Sequence, residues 1–345
     1  MKRRKAYIVI GVVIAVVCSA VAAVGYVAYT VVLAPVVEGE AVVYLQVRPD
    51  EKTPVVKEQI MSVAEVKTMA GFEPLMKYYK YDTRVKPGRY AIRPGDSMRD
   101  ICLRLLSGNQ TPVKLVVPSV RTLDRLASAF GRQLMVDSAA VMTVLTDRHL
   151  VDSLGYTPET FLCLFVPNTY EVYWTISPEQ LVDRMLKEYK RFWNSTRLAQ
   201  AKAQGLTPNE VMTLASIVDE ETAKDDEKAM VAGLYLNRLK RGILLQADPT
   251  VKFALGQFEL RRILYVHLQV DSPYNTYKYA GLPPGPIRVP SMAAIESVLN
   301  PVKHNYLYMC AKEDFSGYHN FASTLAQHTA NARRYQHALN RMGIK

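Results

Sequence analysis

The sequence has 345 residues, 49% hydrophobic and 22% charged, which fits one or two folded domains and excludes a disordered chain. Its net charge is +11, but no basic stripe with interleaved aromatic side chains is present, and we therefore expect no nucleic-acid partner. The positive charge instead favours an anionic, wall-like polymer or an anionic lipid surface, unless it serves only to keep the body soluble.

The N-terminal region, residues 1–37, predicts a membrane anchor. Residues 2–5 are all basic, and no further charge occurs before Glu38. The apolar run between them exceeds the roughly 20 residues that a spanning helix needs. A cleaved signal peptide is the alternative, because Gly25 and Ala28 imitate a cleavage site. The basic residues predict a single-pass protein of the cytoplasmic (inner) membrane, with the N-terminus inside and the body extracytoplasmic, or periplasmic.

Residues 38–150 predict a small module of short strands and helices. A strand at 89–92 leads into a Pro-Gly turn, after which Ser97 begins a helix that ends at Gly108. The segment YAIRPGDSMRDICLRLLSG resembles the strand-turn-helix of LysM modules, which bind peptidoglycan glycan strands. The same pattern is also that of an ordinary turn followed by a capped helix.

Residues 151–345 predict a second, mixed domain, so the fold class is α+β: an N-terminal transmembrane helix, a LysM-like α/β module and an α+β domain. Between 246 and 290 the sequence is rich in Pro, Gly, Tyr and Asn. A long ordered loop of this composition usually carries function. Two later helices are expected to bracket a strand at 306–311.

Cysteine and histidine spacing predicts neither a disulfide framework nor a metal site. Cys102, Cys163 and Cys310 lie outside the membrane run, and three cysteines form at most one disulfide. The six histidines do not fall into ligand spacing with Cys or acidic residues. We expect no metal and no cofactor.

An acidic cluster closes the apolar helix within LASIVDEET. Thr207, Pro208 and Glu210 give the helix a cap, a first-position proline and a capping-box acid. At about 100° per residue, one stripe of this helix should be buried. The stripe consists of Val211, Leu214, Ala215 and Val218.

The three consecutive acids of this cluster differ in helical phase. Relative to Val218, Glu221 lies roughly 60° to one side, Asp219 roughly 100° to the other, and Glu220 roughly opposite. Glu221 should therefore lie against the apolar face, Asp219 at its margin and Glu220 in water. Because an apolar environment disfavours the charged form, we expect a raised pKa for Glu221, as a general acid requires.

Four sequence blocks resemble the endolytic lytic transglycosylases of the MltG (YceG-like) family. They read LASIVDEET, YLNRLKRGILLQADPTV, SPYNTYKYAGLPPGPI and YLYMCAKEDFSGYHNFASTLAQH. An upstream block, FVPNTYEVY, is similar to the family's F-P-D-T-Y, with Asn168 in place of Asp. The resemblance implies that residues 151–345 form the catalytic domain.

The resemblance implies cleavage of the bond between MurNAc and GlcNAc without water, which leaves a 1,6-anhydro-MurNAc end and limits the elongation of nascent strands. One carboxylic acid can protonate the leaving oxygen and then take the proton of the 6-hydroxyl. Because that hydroxyl replaces water, the second carboxylate of ordinary glycosidases is dispensable.

The family motif usually reads E-K-E-T, and its second Glu is catalytic. That position is Glu221 here, whereas Asp219 replaces the first Glu and Glu220 replaces the Lys. The resemblance and the helical phase thus both predict Glu221 as the catalytic acid, and we expect Asp219 to be a supporting acid.

The remaining blocks predict the walls of a glycan cleft. They offer flat rings together with amide, hydroxyl and charged groups, as sugar subsites require. The candidate substrate-binding residues are Asn237, Arg238, Gln246, Asp248, Thr250, Tyr274, Asn275, Thr276, Tyr277 and His319. His328 matches the family's C-terminal block as well.

Two other functions remain open at this point. One is a hydrolytic muramidase that uses Glu221 and Asp219 together, although the two carboxyls point roughly 160° apart on the helix. The other is an inactive glycan-binding adaptor of the wall-synthesis machinery. The expected partners are peptidoglycan glycan strands and the cytoplasmic membrane, with peptidoglycan synthases as a further candidate.

Overall fold

A computed structural model describes residues 2–260 and 262–343 of the chain, which folds into two compact units. The first unit runs to Lys114 and includes Glu171–Ile176, and the second contains the rest. The predicted boundary at residue 150 differs from this division. Residues 115–150 belong to the second unit because their helices bury apolar side chains there: Phe130 packs against Phe165, with ring centroids 6.1 Å apart.

The predicted anchor is a continuous helix, α1, over Lys2–Ala28, followed by a π-helical turn over Tyr29–Leu33. The segment Arg4–Leu33 is 30 residues long and apolar enough to cross a membrane. None of that apolar stretch is buried inside the protein, as expected of a helix whose apolar side chains face lipid.

The rest of the first unit contains two strands and three helices. In chain order they are β1 (Val43–Val47), α2 (Thr53–Val63), α3 (Phe72–Tyr78), β2 (Gly88–Ile92) and α4 (Met98–Ser107). The two strands are antiparallel, with Val43 opposite Ile92. Their inner faces and the three helices enclose one apolar core.

The predicted strand-turn-helix of this module is confirmed as local structure. Ser97 and Asp100 form a reciprocal capping box at the start of α4, and Gly108 ends the helix in the left-handed conformation. However, β2 pairs with the upstream strand β1, and two helices lie between them in the chain. The likeness to LysM and the glycan binding that it implies remain predictions.

The second unit is mainly helical. Short strands β3 (Val113–Val116) and β4 (Thr169–Val172) lie where the chain passes from one unit to the other. The helices are α5 (Leu123–Gly131), α6 (Ser138–Leu145), α7 (Arg148–Ser153), α8 (Pro178–Phe192), α9 (Ser195–Gln204), α10 (Pro208–Glu221), α11 (Asp225–Lys240), α12 (Asp248–Leu255), α13 (Met292–Leu299) and α14 (Leu325–Arg341). Strands β5 (Tyr308–Ala311) and β6 (His319–Ala322) form an antiparallel hairpin.

Helix α10 lies at the centre of this unit and packs against α9, α11, α12 and α13. All residues from Val211 to Val218 are buried, so the helix is enclosed on all sides rather than along the predicted stripe alone. Its first turn and its last turn, which carries the three acids, reach partly exposed surroundings.

The segment 246–290 is largely irregular, as predicted, but helix α12 and a 3-10 turn at His267–Gln269 interrupt it. Within it, Gly285 lies directly against the backbone of Glu159. A Cβ atom at Gly285 would be 2.0 Å from the carbonyl oxygen of Glu159. The position therefore requires glycine for close approach.

Replacing Gly285 with Ala should lower the free energy of unfolding by about 2 kcal/mol or more, because neither backbone can yield without strain. Urea denaturation followed by circular dichroism measures the change. An unchanged denaturation midpoint would show that the segment relaxes around the added methyl group.

Candidate active site

The helix that carries the acids begins as the sequence predicts. The Thr207 hydroxyl accepts a hydrogen bond from the Glu210 amide, and the Thr207 amide donates to Oε2 of Glu210 at 2.7 Å. Pro208 occupies the first turn, and the helix ends at Glu221. This reciprocal cap fixes the phase of α10, and with it the direction of each acid.

Asp219 is held by groups from two neighbouring helices. Lys228 of α11 lies 2.9 Å from its Oδ1, and the Ser291 hydroxyl and amide donate to its two oxygens at 2.7 and 2.9 Å. Burial alone would raise the pKa of Asp219, but the hydrogen bonds from Lys228 and Ser291 outweigh it and hold the pKa below its ordinary value. Because Ser291 also caps α13, Asp219 joins α10 to α11 and α13.

Glu220 does not face water, so that prediction is wrong. The Arg121 guanidinium binds both of its oxygens at 2.8 Å, and Arg288 donates to Oε1 at 3.0 Å. The Glu220 side chain is only 13% exposed. The physical reason is that α10 is enclosed by other elements, so its outer face meets protein rather than solvent.

Glu221 is the acid without a neutralising partner. None of the described residues forms an ion pair with it, whereas both preceding acids are paired. Burial raises the pKa of Glu221 to about 7, and the nearby Asp248 charge adds to the rise. The Tyr235 hydroxyl donates to its Oε1 at 2.7 Å and partly opposes the rise. The prediction of a raised pKa for Glu221 thus agrees with its surroundings.

Glu221 opens into a cavity of about 350 Å³. Its walls come from helix α11, the segment after it and the β5–β6 hairpin. The other lining residues are Leu234, Tyr235, Arg238, Gln246, Asp248, Tyr277, Tyr308, Met309, Cys310, Ala311, His319 and His328. A cavity of this size, with polar groups converging on one acid of raised pKa, is typical of an active site.

Five of the predicted substrate-binding residues line this cavity. The Tyr277 hydroxyl donates to Oδ1 of Asp248 at 2.6 Å, and Arg238 donates to Oε1 of Gln246 at 2.8 Å. Gln246 has a φ of +50°, a conformation that costs energy in a residue other than glycine and is common at functional sites. The fifth residue, His319, lies on the hairpin.

His319 is fixed in place by Glu227 of α11. One carboxylate oxygen accepts the backbone N–H of His319 at 2.7 Å, and the other lies 2.8 Å from the ring Nδ1. Glu227 is itself buried. This two-point contact sets the direction of the imidazole and attaches the hairpin to α11.

The other five predicted substrate-binding residues do not line the cavity. Asn237 donates to the backbone oxygens of His304 and Tyr306 at 2.8 and 3.1 Å. Tyr274 packs its ring against Phe253, with centroids 4.7 Å apart. Asn237 therefore holds the backbone of residues 304–306, and Tyr274 packs against α12.

Asn275, Thr250 and Thr276 are also occupied within the protein. All three are buried, and the Asn275 amide donates to the backbone oxygens of Leu268 and Val270 at 2.9 and 2.8 Å. The two threonine hydroxyls lie 2.8 Å apart, and Thr276 also accepts the Ala247 N–H. Their polar groups replace the backbone hydrogen bonds that this irregular segment lacks.

Sequence reasoning missed Tyr235 and the strand β5 as parts of the site. The phase of α11 could have indicated Tyr235, because Arg238 lies three residues later on the same helix face. His328 was noted as a family match, and it stacks on Tyr308 in the cavity wall with ring centroids 5.4 Å apart. The four-residue strand β5 offers too short a pattern for its inward side to be recognised.

Within residues 2–260 and 262–343, no group of three or more His, Cys, Asp or Glu side chains could hold a metal ion. The expectation that the protein uses neither metal nor cofactor remains a prediction. The cavity offers one acid of raised pKa, hydroxyl groups, a guanidinium and imidazole rings.

Comparisons with known proteins place this site in a family context. The model of the YceG-like family matches residues 45–334. A protein of Streptococcus pneumoniae serotype 2 named endolytic murein transglycosylase is 30% identical over 263 residues, which are 68% of this chain and 48% of that protein. A protein of the same name from Bacillus subtilis is 29% identical over 287 residues, 78% of each chain. The chain thus spans about half the length of the streptococcal relative.

A solved structure has a similar fold. The crystal structure of a YceG-like protein from Listeria monocytogenes superposes with a TM-score of 0.57 at 28% sequence identity. The superposition covers 84% of this chain and 98% of the Listeria chain.

Replacing Tyr235 with Phe should raise the pKa of Glu221 above that of the wild type. The Tyr235 hydroxyl favours the ionised carboxylate by donating to it, and Phe removes this donor while leaving the burial unchanged. Infrared spectra of the wild type and of Tyr235→Phe, each after subtraction of the spectrum of the same protein carrying Glu221→Gln, follow the titration of the Glu221 carboxyl. An equal or lower pKa in the variant would contradict the assignment.

Replacing Asp219 with Asn should lower the free energy of unfolding at neutral pH by about 2 kcal/mol, because the buried Lys228 ammonium then keeps only the exposed Asp225 as a charge partner. The pKa of Asp219 is depressed in the folded protein, so its contribution is present above the unfolded value of about 3.9 and lost as the pH falls through the folded value. Urea denaturation of the wild type and the variant from neutral to acidic pH should show that the difference between their free energies of unfolding becomes smaller. A difference that is independent of pH would argue against the ion pair.

Proposed function

The chain belongs to the YceG-like family, and from this premise we propose that it is a membrane-anchored peptidoglycan transglycosylase. The relatives named endolytic murein transglycosylase support this activity. The observation that carries the proposal is the state of Glu221, a partly buried acid of raised pKa with no ion-pair partner among the described residues, at the wall of a cavity that can hold part of a glycan. The substrate is the glycan strand, cut internally between MurNAc and GlcNAc.

The reaction needs one group that first gives and then takes a proton. Protonated Glu221 donates its proton to the glycosidic oxygen as the bond from that oxygen to C1 of MurNAc breaks. The resulting carboxylate is stabilised by the Tyr235 hydroxyl. It then takes the proton of the MurNAc 6-hydroxyl as that oxygen bonds to C1, which restores the acid and forms the 1,6-anhydro ring.

The surroundings of Asp219 favour this single-acid route over a hydrolytic pair. Its two oxygens are held by Lys228 and Ser291, and it is not among the lining residues of the cavity. Asp219 therefore supports the reaction indirectly, by fixing the last turn of α10 against its neighbours. The five lining residues Arg238, Gln246, Asp248, Tyr277 and His319 would bind the sugar hydroxyl and N-acetyl groups.

The protein acts at a membrane in this proposal. Helix α1 and the turn after it are apolar enough to span a membrane. By the positive-inside rule, the basic residues before α1 favour an N-terminus in the cytoplasm and a catalytic unit outside. The nascent strands made at that membrane are then within its reach. Cleavage would limit strand elongation, and peptidoglycan synthases are the expected neighbours.

Substituting Glu221 with Gln should reduce the cleavage of purified peptidoglycan by the full-length protein at least about 100-fold, because the amide cannot donate the proton. Wild-type activity should decline as the pH rises through about 7, because Glu221 then loses its proton. Mass spectrometry of the products should detect 1,6-anhydro-MurNAc ends. Glu220→Gln is the matched control: the same change one residue away, outside the cavity, should preserve activity below its unfolding temperature.

Reducing MurNAc ends without the anhydro form would instead indicate hydrolysis, and with it a muramidase. Equal activity of Glu221→Gln and wild type would remove Glu221 from the mechanism. An absence of cleavage by the wild type, together with retained glycan binding, would indicate the adaptor function.

A further inference from the structure

The length of the anchor helix sets the height at which the chain leaves a bilayer. Tyr7 and Tyr26 lie on exposed surface of α1, and at about 1.5 Å per residue they are about 28 Å apart. That distance matches the roughly 30 Å hydrocarbon core, and Tyr is enriched at both edges of this core. Val31 lies about 7 Å further along, which is within the headgroup layer.

Beyond the anchor helix, the chain of the first unit turns back to the height of Val31. Its exit segment, Val36–Glu38, pairs antiparallel with residues 65–67: the Lys67 amide donates to the Val36 oxygen at 2.8 Å, and the Glu38 amide to the Glu65 oxygen at 2.8 Å. Because the pairing is antiparallel, the chain after Lys67 runs back towards the anchor.

Gly71 marks where this returning chain meets the anchor. A Cβ atom there would lie 2.7 Å from the Val31 oxygen and 2.9 Å from its Cγ1, so only glycine permits the contact. The loop Thr68–Ala70, which immediately precedes Gly71, is thereby placed at the height of the lipid headgroups.

An open groove of about 550 Å³ begins at this loop. Met61, Met69 and Ala70 contribute apolar surface, and Met61 is 58% exposed. Lys57 and Lys67 lie at the same groove and pair with Glu73 and Glu38 at 2.5 and 3.3 Å. These ion pairs are solvent-exposed and therefore weak, so both ammonium groups can exchange a carboxylate for a phosphate.

We propose that this groove is a seat for phospholipid headgroups of the leaflet from which the body emerges, and that the Gly71–Val31 contact holds it there. The inference rests on the proposed membrane anchorage. The mixture of apolar side chains and lysines is that of surfaces which lie in the bilayer interface, where lysine attracts anionic headgroups. The first unit thus binds its membrane by two elements, the spanning helix and this groove.

Photo-cross-linking tests the seat in the full-length protein, reconstituted in nanodiscs of phosphatidylethanolamine and phosphatidylglycerol. The photoreactive residue p-benzoylphenylalanine replaces Ala70 or Met61 in the groove, Val16 within the anchor, or the exposed Asp50 beyond the far end of β1. We expect lipid adducts at Val16, Ala70 and Met61, each with a yield several-fold above the yield at Asp50. A Gly71→Leu background should reduce the adduct at Ala70 and leave that at Val16 unchanged.

The outcomes separate the seat from the anchorage. Adducts at Val16, with Ala70 and Met61 at the level of Asp50, would overturn the seat and leave the anchorage intact. A yield of lipid adduct at Val16 no higher than that at Asp50 would overturn the membrane anchorage and the seat with it. An Ala70 adduct that persists in the Gly71→Leu protein, shown by circular dichroism to be folded, would overturn the role of the Gly71 contact.

Discussion

The second unit depends on how three adjacent carboxylates are neutralised at the end of one buried helix. Negative charge at a helix C-terminus is unfavourable, because the last carbonyl groups already carry partial negative charge. Two of the acids are compensated from outside the helix: Asp219 by Lys228, and Glu220 by Arg121 and Arg288. Their partners come from three different parts of the chain, so neutralisation of the helix end also joins those parts together. Glu221 receives a neutral hydroxyl instead of a cation, and burial then raises the pKa of its carboxyl.

The features that the sequence predicted correctly depend on neighbouring residues. The apolar N-terminal helix, the capping boxes at Ser97 and Thr207 and the end of α4 at Gly108 all follow from interactions over a few positions. The helical phase that separates Glu221 from the other two acids is likewise local, because it is set within the helix itself, whereas the catalytic role of Glu221 stays a prediction.

The incorrect predictions concern partners that are distant in the chain. The solvent-facing Glu220 was inferred from an amphipathic helix, whereas the middle of α10 is buried on every side and Arg121 and Arg288 cover Glu220. The family blocks around Asn275 and Thr276 suggested sugar binding, but a 45-residue stretch with little regular structure must satisfy its own backbone groups, and these side chains do so. Strand β5 and Tyr235 were missed as parts of the site, since they line the cavity of Glu221 only through tertiary packing.

The capping box at Thr207 also marks the residue from which side-chain directions along α10 are counted. Helix α10 has 14 residues, and each step turns the chain by about 100°, so the direction of the final carboxylate is counted from the cap. Lengthening the helix by one residue would bring Glu220 to the position of Glu221, and shortening it would bring the following Thr222. The number of residues from Thr207 to the acid therefore cannot change by one without also changing which side chain faces the cavity and which face the charge partners at the helix end.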